Sequence, residues 1–274
     1  MPTPHLHLDV WLVLGSVVAA YLLALRRHEA TSGQATPART RHLFLGGMAV
    51  LWIGSDWPIH DLAEGYLYSA HMVQHMLYTL VAAPLLVSGI PAWMWRVALR
   101  PRPVHAVWHF LTRPLVALLL FNGFLLFTHW PAVVATSVGS EPMHFVLHVA
   151  VLGTAMIMWW PVVSPLPEMP PLAAPLQMLY LFLQSLVPTI PASFLTFGTS
   201  PLYPVYAGFP RIAGIDVLTD QLMAGLTMKI VGGFILWGVI AVVFFRWAAR
   251  EERDGMDATG WRDVDREVLA EVRR

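Results

Sequence analysis

Residues 69–90 read SAHMVQHMLYTLVAAPLLVSGI: 22 residues without a formal charge, with His71 and His75 in the first two turns and an uninterrupted apolar run behind them. A helix rises about 1.5 Å per residue, so this stretch matches the roughly 30 Å hydrocarbon core of a bilayer. A lipid-embedded helix with a polar head is therefore the unit from which the fold is read.

The same ruler of about 20 apolar residues finds further spans near 8–25, 42–57, 114–132, 143–163, 173–197 and 217–245, the second of them short. The expected fold is all-α, a polytopic bundle of seven transmembrane helices over residues 1–250 with a charged tail at 251–274. Composition agrees, at 57% hydrophobic and 12% charged over 274 residues, far from the balance of a soluble domain. No basic segment precedes the first apolar run and no small-residue cleavage site follows it, so a removable signal peptide is not expected.

Arg26, Arg27, Arg39, Arg41, Arg96, Arg100, Arg102, Arg113 and the arginines from Arg246 to Arg274 all fall on one side of this topology, which the positive-inside rule makes cytosolic. The N-terminus is then outside and the C-terminus cytosolic, in a multi-pass protein of a bacterial cell membrane. Arg211 and the acids Asp56, Asp61, Glu64, Glu141, Asp216 and Asp220 lie on the outer side. Pro188 and Pro191 free backbone carbonyls in the sixth span and bend its outer half, which either frames a cavity or is simply satisfied by Thr189 and Ser193.

There is no cysteine, which removes disulfides, thiolate metal centres and cysteine nucleophiles. Of the 12 histidines, His5, His7, His60, His71, His75, His129, His144 and His148 fall toward the outer face; His28, His42, His105 and His109 face the cytosol. His71 and His75 open the third span and His144 and His148 the fifth, both spaced i, i+4, which sets two imidazoles on one helix face a turn apart. Random placement gives about 0.5 such pairs, against three here with His105 and His109. His105 and His109 sit in a basic, tryptophan- and proline-bearing segment and read as interfacial.

One histidine pair at a helix end is ordinary interfacial hydrogen bonding; two pairs at one depth, with His129 ending the fourth span there and His60 nearby, make a set of metal-ligand candidates. Met72, Met143 and Met223 are the neighbouring thioethers, and imidazole with thioether suits copper, while zinc accepts the same imidazoles. Asp61 and Asp220 are candidates to orient metal-bound imidazoles, with helix capping as the alternative. Lys229 is a cation inside an apolar span and needs a partner, a water-lined path or a route to snorkel.

Several segments resemble the seven-helix CtaG-like family of cytochrome c oxidase assembly proteins: residues 57–63 (WPIHDLA), 69–76 (SAHMVQHM), 83–86 (APLL) with Gly89, 129–131 (HWP), the His144 and His148 pair, 159–161 (WWP), and 220–225 (DQLMAG) leading to Gly232 and Gly233. That resemblance implies an assembly factor for haem–copper oxidase, handling copper for its active site and meeting the lipid bilayer and oxidase subunits, with no nucleic acid and no turnover of its own. Many relatives carry an aromatic residue at the position of Lys229. A single-span, cysteine-dependent copper chaperone shares the family's name, and its thiolate chemistry does not transfer. Two other classes remain beside this one: a b-type haem held between transmembrane histidines, and a zinc hydrolase with Glu64, Asp61 or Asp220 as general base, for which no His-Glu-x-x-His motif is present.

Overall fold

The structure, a computed structural model, describes residues 6–258, with side chains as far as Arg253; His5 lies outside the described residues, as does the tail beyond 258. Within them the chain is helical without a strand. Helices α1 (Leu8–Ser32) and α2 (Ala38–Ser55) are followed by the short α3 (Ile59–Gly65) and by α4 (Tyr68–Gly89). After α5 (Ala92–Ala98), α6 (Arg102–Leu111) meets α7 (Pro114–Thr128) at a 78° bend. Then come α8 (Pro131–Val138), α9 (Glu141–Val163), α10 (Ala174–Phe197) and α11 (Val217–Arg253).

Five of these, α1, α4, α9, α10 and α11, are long and apolar enough to cross a membrane, and α6 with α7 makes a sixth if the bent pair is one span. The expected second span falls in α2, whose first residues include Arg39 and Arg41, leaving its apolar part short. No side chain of α6 is buried, in keeping with a helix lying along an interface with His105 and His109 on it.

Burial decides which helix is central. In α4, 67% of the best apolar window is buried, against 11% in α1, whose Leu12 and Leu23 are exposed as a lipid-facing surface requires. Met76, Leu80 and Ala83 of α4 pack with Phe121 of α7, Met158 and Trp159 of α9, and Leu181 of α10. On its other face Tyr78, Ala82 and Leu86 pack with Phe44, Met48 and Leu51 of α2.

At that second face the backbones nearly touch: a Cβ on Gly89 would collide with the backbone N and Cα of Phe44. Helices in lipid associate through such close approaches at small residues. Gly89→Val is therefore expected to destabilise the protein by about 1–3 kcal/mol through overpacking, read as a lower melting temperature in detergent; an unchanged melt would show that α2 can move away freely.

Two helices carry a widened π turn, Leu77–Ala82 in α4 and Thr227–Val231 in α11. Pro84 follows the first, and proline removes a backbone donor and pushes back the preceding turn. A carbonyl displaced from the ladder needs another donor, and the indole Nε1 of Trp159 donates to the Thr79 carbonyl at 2.7 Å. The turn is thereby tied to α9, the helix that carries the second histidine pair.

Candidate metal centre

The start of α4 is set by a carboxylate from a distant helix. Asp220 of α11, fully buried, accepts from the backbone N–H groups of Tyr68 (2.8 Å) and Ser69 (3.0 Å) and from the Ser69 hydroxyl (2.6 Å). The first N–H groups of a helix have no partner within it, so this carboxylate serves as the cap of α4. Of the two roles open to Asp220, capping is what the contacts describe, on a neighbouring helix and three residues before His71. Its own helix is capped by Asp216, which accepts from Leu218 and Thr219.

From that start the 3.6-residue period turns His71 and His75 inward, their ring centroids 4.4 Å apart. Facing them, α9 projects His144 and His148, 4.2 Å apart, and the two pairs interleave: His71 to His148 is 5.3 Å, His75 to His148 5.1 Å and His71 to His144 5.4 Å. His129, just after α7, closes the set 6.2 Å from His75. One ligand atom each from His71, His75 and His148 lies within 4.8 Å of the others, the one such group among the described residues. Coordination at about 2.0 Å from a shared ion brings donors to roughly 3.3–3.5 Å, so binding requires side-chain movements of about an ångström.

The hydrogen bonding is more telling than the proximity. His71 Nδ1 and the Nε2 atoms of His75, His129, His144 and His148 are buried and have no hydrogen-bond partner among the described residues. Buried polar atoms are almost always paired; His144 Nε2 has only the Glu64 carboxylate near it, at 3.2 Å, and the four other unpaired imidazole nitrogens around one space call for something to bind them. That space is a cavity of about 20 Å³ lined by these five histidines, with Tyr68 and Met72 beside them. It has room for one water or one bare ion. For His129 the tautomer follows from its surroundings: Nδ1 lies 2.8 Å from the Leu125 carbonyl, which can only accept, so the proton is on Nδ1 and the Nε2 lone pair is free for the cavity.

The remaining candidates are placed less closely. His60 lies outside the three-histidine group, on α3, with Nε2 3.4 Å from Glu64 Oε1. Asp61 pairs with His7 at 3.2 Å. Asp56 binds the indoles of Trp11 and Trp52 at 2.8 and 3.0 Å, tying α1 to α2. Met72 is buried against the cavity, whereas Met143 is half-buried away from its lining and Met223 is 42% exposed. Lys229, in the π turn of α11, lines a separate cavity of about 40 Å³ deeper in the bundle, beside the α10 break at Pro188. At that break Thr189 Oγ1 donates to the Ser185 carbonyl at 3.3 Å and Ser193 Oγ to the Thr189 carbonyl at 2.7 Å, so the break lines a cavity while nearby hydroxyls pair with its carbonyls.

Glu64 escaped selection as a metal ligand in the sequence, although its i, i+4 spacing from His60 was available as a signal. Its Oε1 sits 3.2 Å from His144 Nε2. Burial pushes this carboxyl up to about 7, with the nearby Glu141 charge adding to the rise, and burial together with His7 lowers the His60 imidazole.

Apolar helices of bilayer length around a buried imidazole cluster define the chain as a helical membrane protein with a polyhistidine centre near one end of its spans. The family model of the cytochrome c oxidase caa3 assembly factor (Caa3_CtaG) matches residues 19–250, and the chain belongs to this family. No curated protein and no solved structure was found to match.

Proposed function

We propose that this assembly factor binds a copper ion through His71, His75 and His148, with His144 and His129 as exchangeable ligands, and delivers it during maturation of the oxidase. The observation that carries this reading is the set of unpartnered imidazole nitrogens around an ion-sized cavity. Three imidazoles with the Met72 thioether alongside suit copper in either common oxidation state, and more donors than copper needs leave positions for transfer to a partner. The alternatives fit less well. A cavity of about 20 Å³ has no room for a porphyrin, and Glu64 lies against His144 rather than among the three closest histidines.

The topology that goes with this reading has seven spans, α2 being the short one, with the N-terminus outside and the C-terminus in the bacterial cytosol. The positive-inside asymmetry supports it. The histidine-bearing ends of α4 and α9 then face the outer side, where the oxidase subunit that receives copper would dock.

The test is elemental analysis and absorption spectroscopy of the purified protein after copper or zinc exposure, beside a variant with His71, His75, His144 and His148 all replaced by alanine. About one copper per chain, lost in the variant, is expected. Stoichiometric zinc that copper does not displace, or a Soret band, sinks the reading.

A further inference from the structure

Outside the three-histidine group, a second line of donors leads toward the surface. His7 Nε2 contacts Asp61 at 3.2 Å and its ring meets His60 edge-on at 4.7 Å. His60 Nε2 is 3.4 Å from Glu64 Oε1, and that same oxygen is 3.2 Å from His144 Nε2. His144 in turn lies against His148 of the inner group. Side-chain exposure is 22% at His60, 35% at Glu64 and 11% at His144, so Glu64 is the outermost of the three and His144 the innermost.

Two donors bound at about 2.0–2.1 Å to one tetrahedral ion are separated by about 3.3–3.4 Å, the edge of the coordination polyhedron. Both contacts of Glu64 Oε1 are close to that length. The one to His144 lacks the alignment of a hydrogen bond, since His144 Nε2 has no hydrogen-bond partner. His60, Glu64 and His144 do not form a compact three-ligand group, so two successive positions share the carboxylate. Beside Glu64 and His144 lies a further cavity of about 40 Å³, which Glu141 also lines.

We propose that Glu64, together with His60, is an outer station for the cation, taking it up where the side chain is exposed and passing it to His144 and so to the three-histidine group. This rests on the copper-binding reading above. In the inward step the bond to His60 nitrogen breaks as the bond to His144 nitrogen forms, while the Glu64 oxygen stays bound. No redox change is involved; with the His144 proton on Nδ1, where it can donate to Ser137 Oγ at 3.3 Å, Nε2 offers its lone pair to the cation. A carboxylate is a hard donor that holds Cu(I) only weakly, which suits a transient position, and its charge offsets the cation's where the environment becomes apolar.

The experiment uses full-length protein in detergent, loaded with Cu(I) and then challenged with excess of a water-soluble Cu(I) chelator. Glu64→Gln should hold the same copper per chain as wild type yet release it at least tenfold more slowly, and His60→Ala should do the same. Exchange by Glu64→Gln at the wild-type rate or faster overturns the relay, as does loss of bound copper from a variant that keeps its helical fold, which would put Glu64 in the inner site. Should Glu64→Gln fail to fold, His60→Ala decides alone: slow release supports the relay and unchanged release refutes it. Wild-type protein that binds no copper fails the parent reading instead, a separate result from normal binding with unaltered exchange.

Discussion

His148→Ala is expected to weaken copper binding by more than about a hundredfold without destabilising the metal-free protein. Of the three histidines that could share an ion, His148 alone comes from α9; without it, the remaining two are on adjacent turns of α4. Loss of groups that merely orient a ligand costs 10–100-fold in metal affinity, and loss of a ligand itself costs at least as much. The stability half of the prediction has the opposite sign. His148 Nε2 is a buried nitrogen with no partner, so removing the imidazole removes an unsatisfied polar group along with some packing. Copper at a hundred times its dissociation constant should raise wild-type stability by about 2.7 kcal/mol, and this increment should vanish in the variant. Competition titration and thermal melts with and without copper measure both halves. A variant that keeps wild-type affinity, or that still gains stability from copper, would remove His148 from the site.

Asp220→Ala should be the most destabilising single substitution considered, lowering stability by about 3 kcal/mol or more. It strands two backbone N–H groups and a hydroxyl in the interior, each worth roughly 1–3 kcal/mol when left unsatisfied. The damage falls at the origin of α4, so copper affinity should drop with stability, in contrast to His148→Ala. Asp220→Asn retains one acceptor and should lie between alanine and wild type. Thermal melts of the three proteins without metal test this; a wild-type melt for the alanine variant would mean that water or another residue caps α4 equally well.

These two residues also show how far local sequence reaches. Both histidine pairs were legible from spacing, because a helix of 3.6 residues per turn sets i and i+4 on one face whatever surrounds it. Bilayer-length apolar runs were legible for the same reason, and the short second span near 42–57 falls in α2, where the arginines of the first turn leave the apolar run below bilayer length. Asp220 was legible as a capping residue, yet the helix it caps lies some 150 positions earlier. Nothing in the local pattern announced the π turn of α4 or its tie to Trp159, since both depend on which helix lies alongside.

The histidines divide along the same line. By itself the sequence determined that the chain is built of membrane helices and that imidazoles gather at one depth, because apolar length and helical period are local properties that lipid selects directly. Only the tertiary structure decided that His71, His75 and His148 converge, that His144 leans toward Glu64, and that His60 stands apart. The rotation of each helix about its own axis is set by long-range packing, by Gly89 against Phe44 and by Asp220 beneath Tyr68, and no periodicity within one helix encodes where its neighbour will sit.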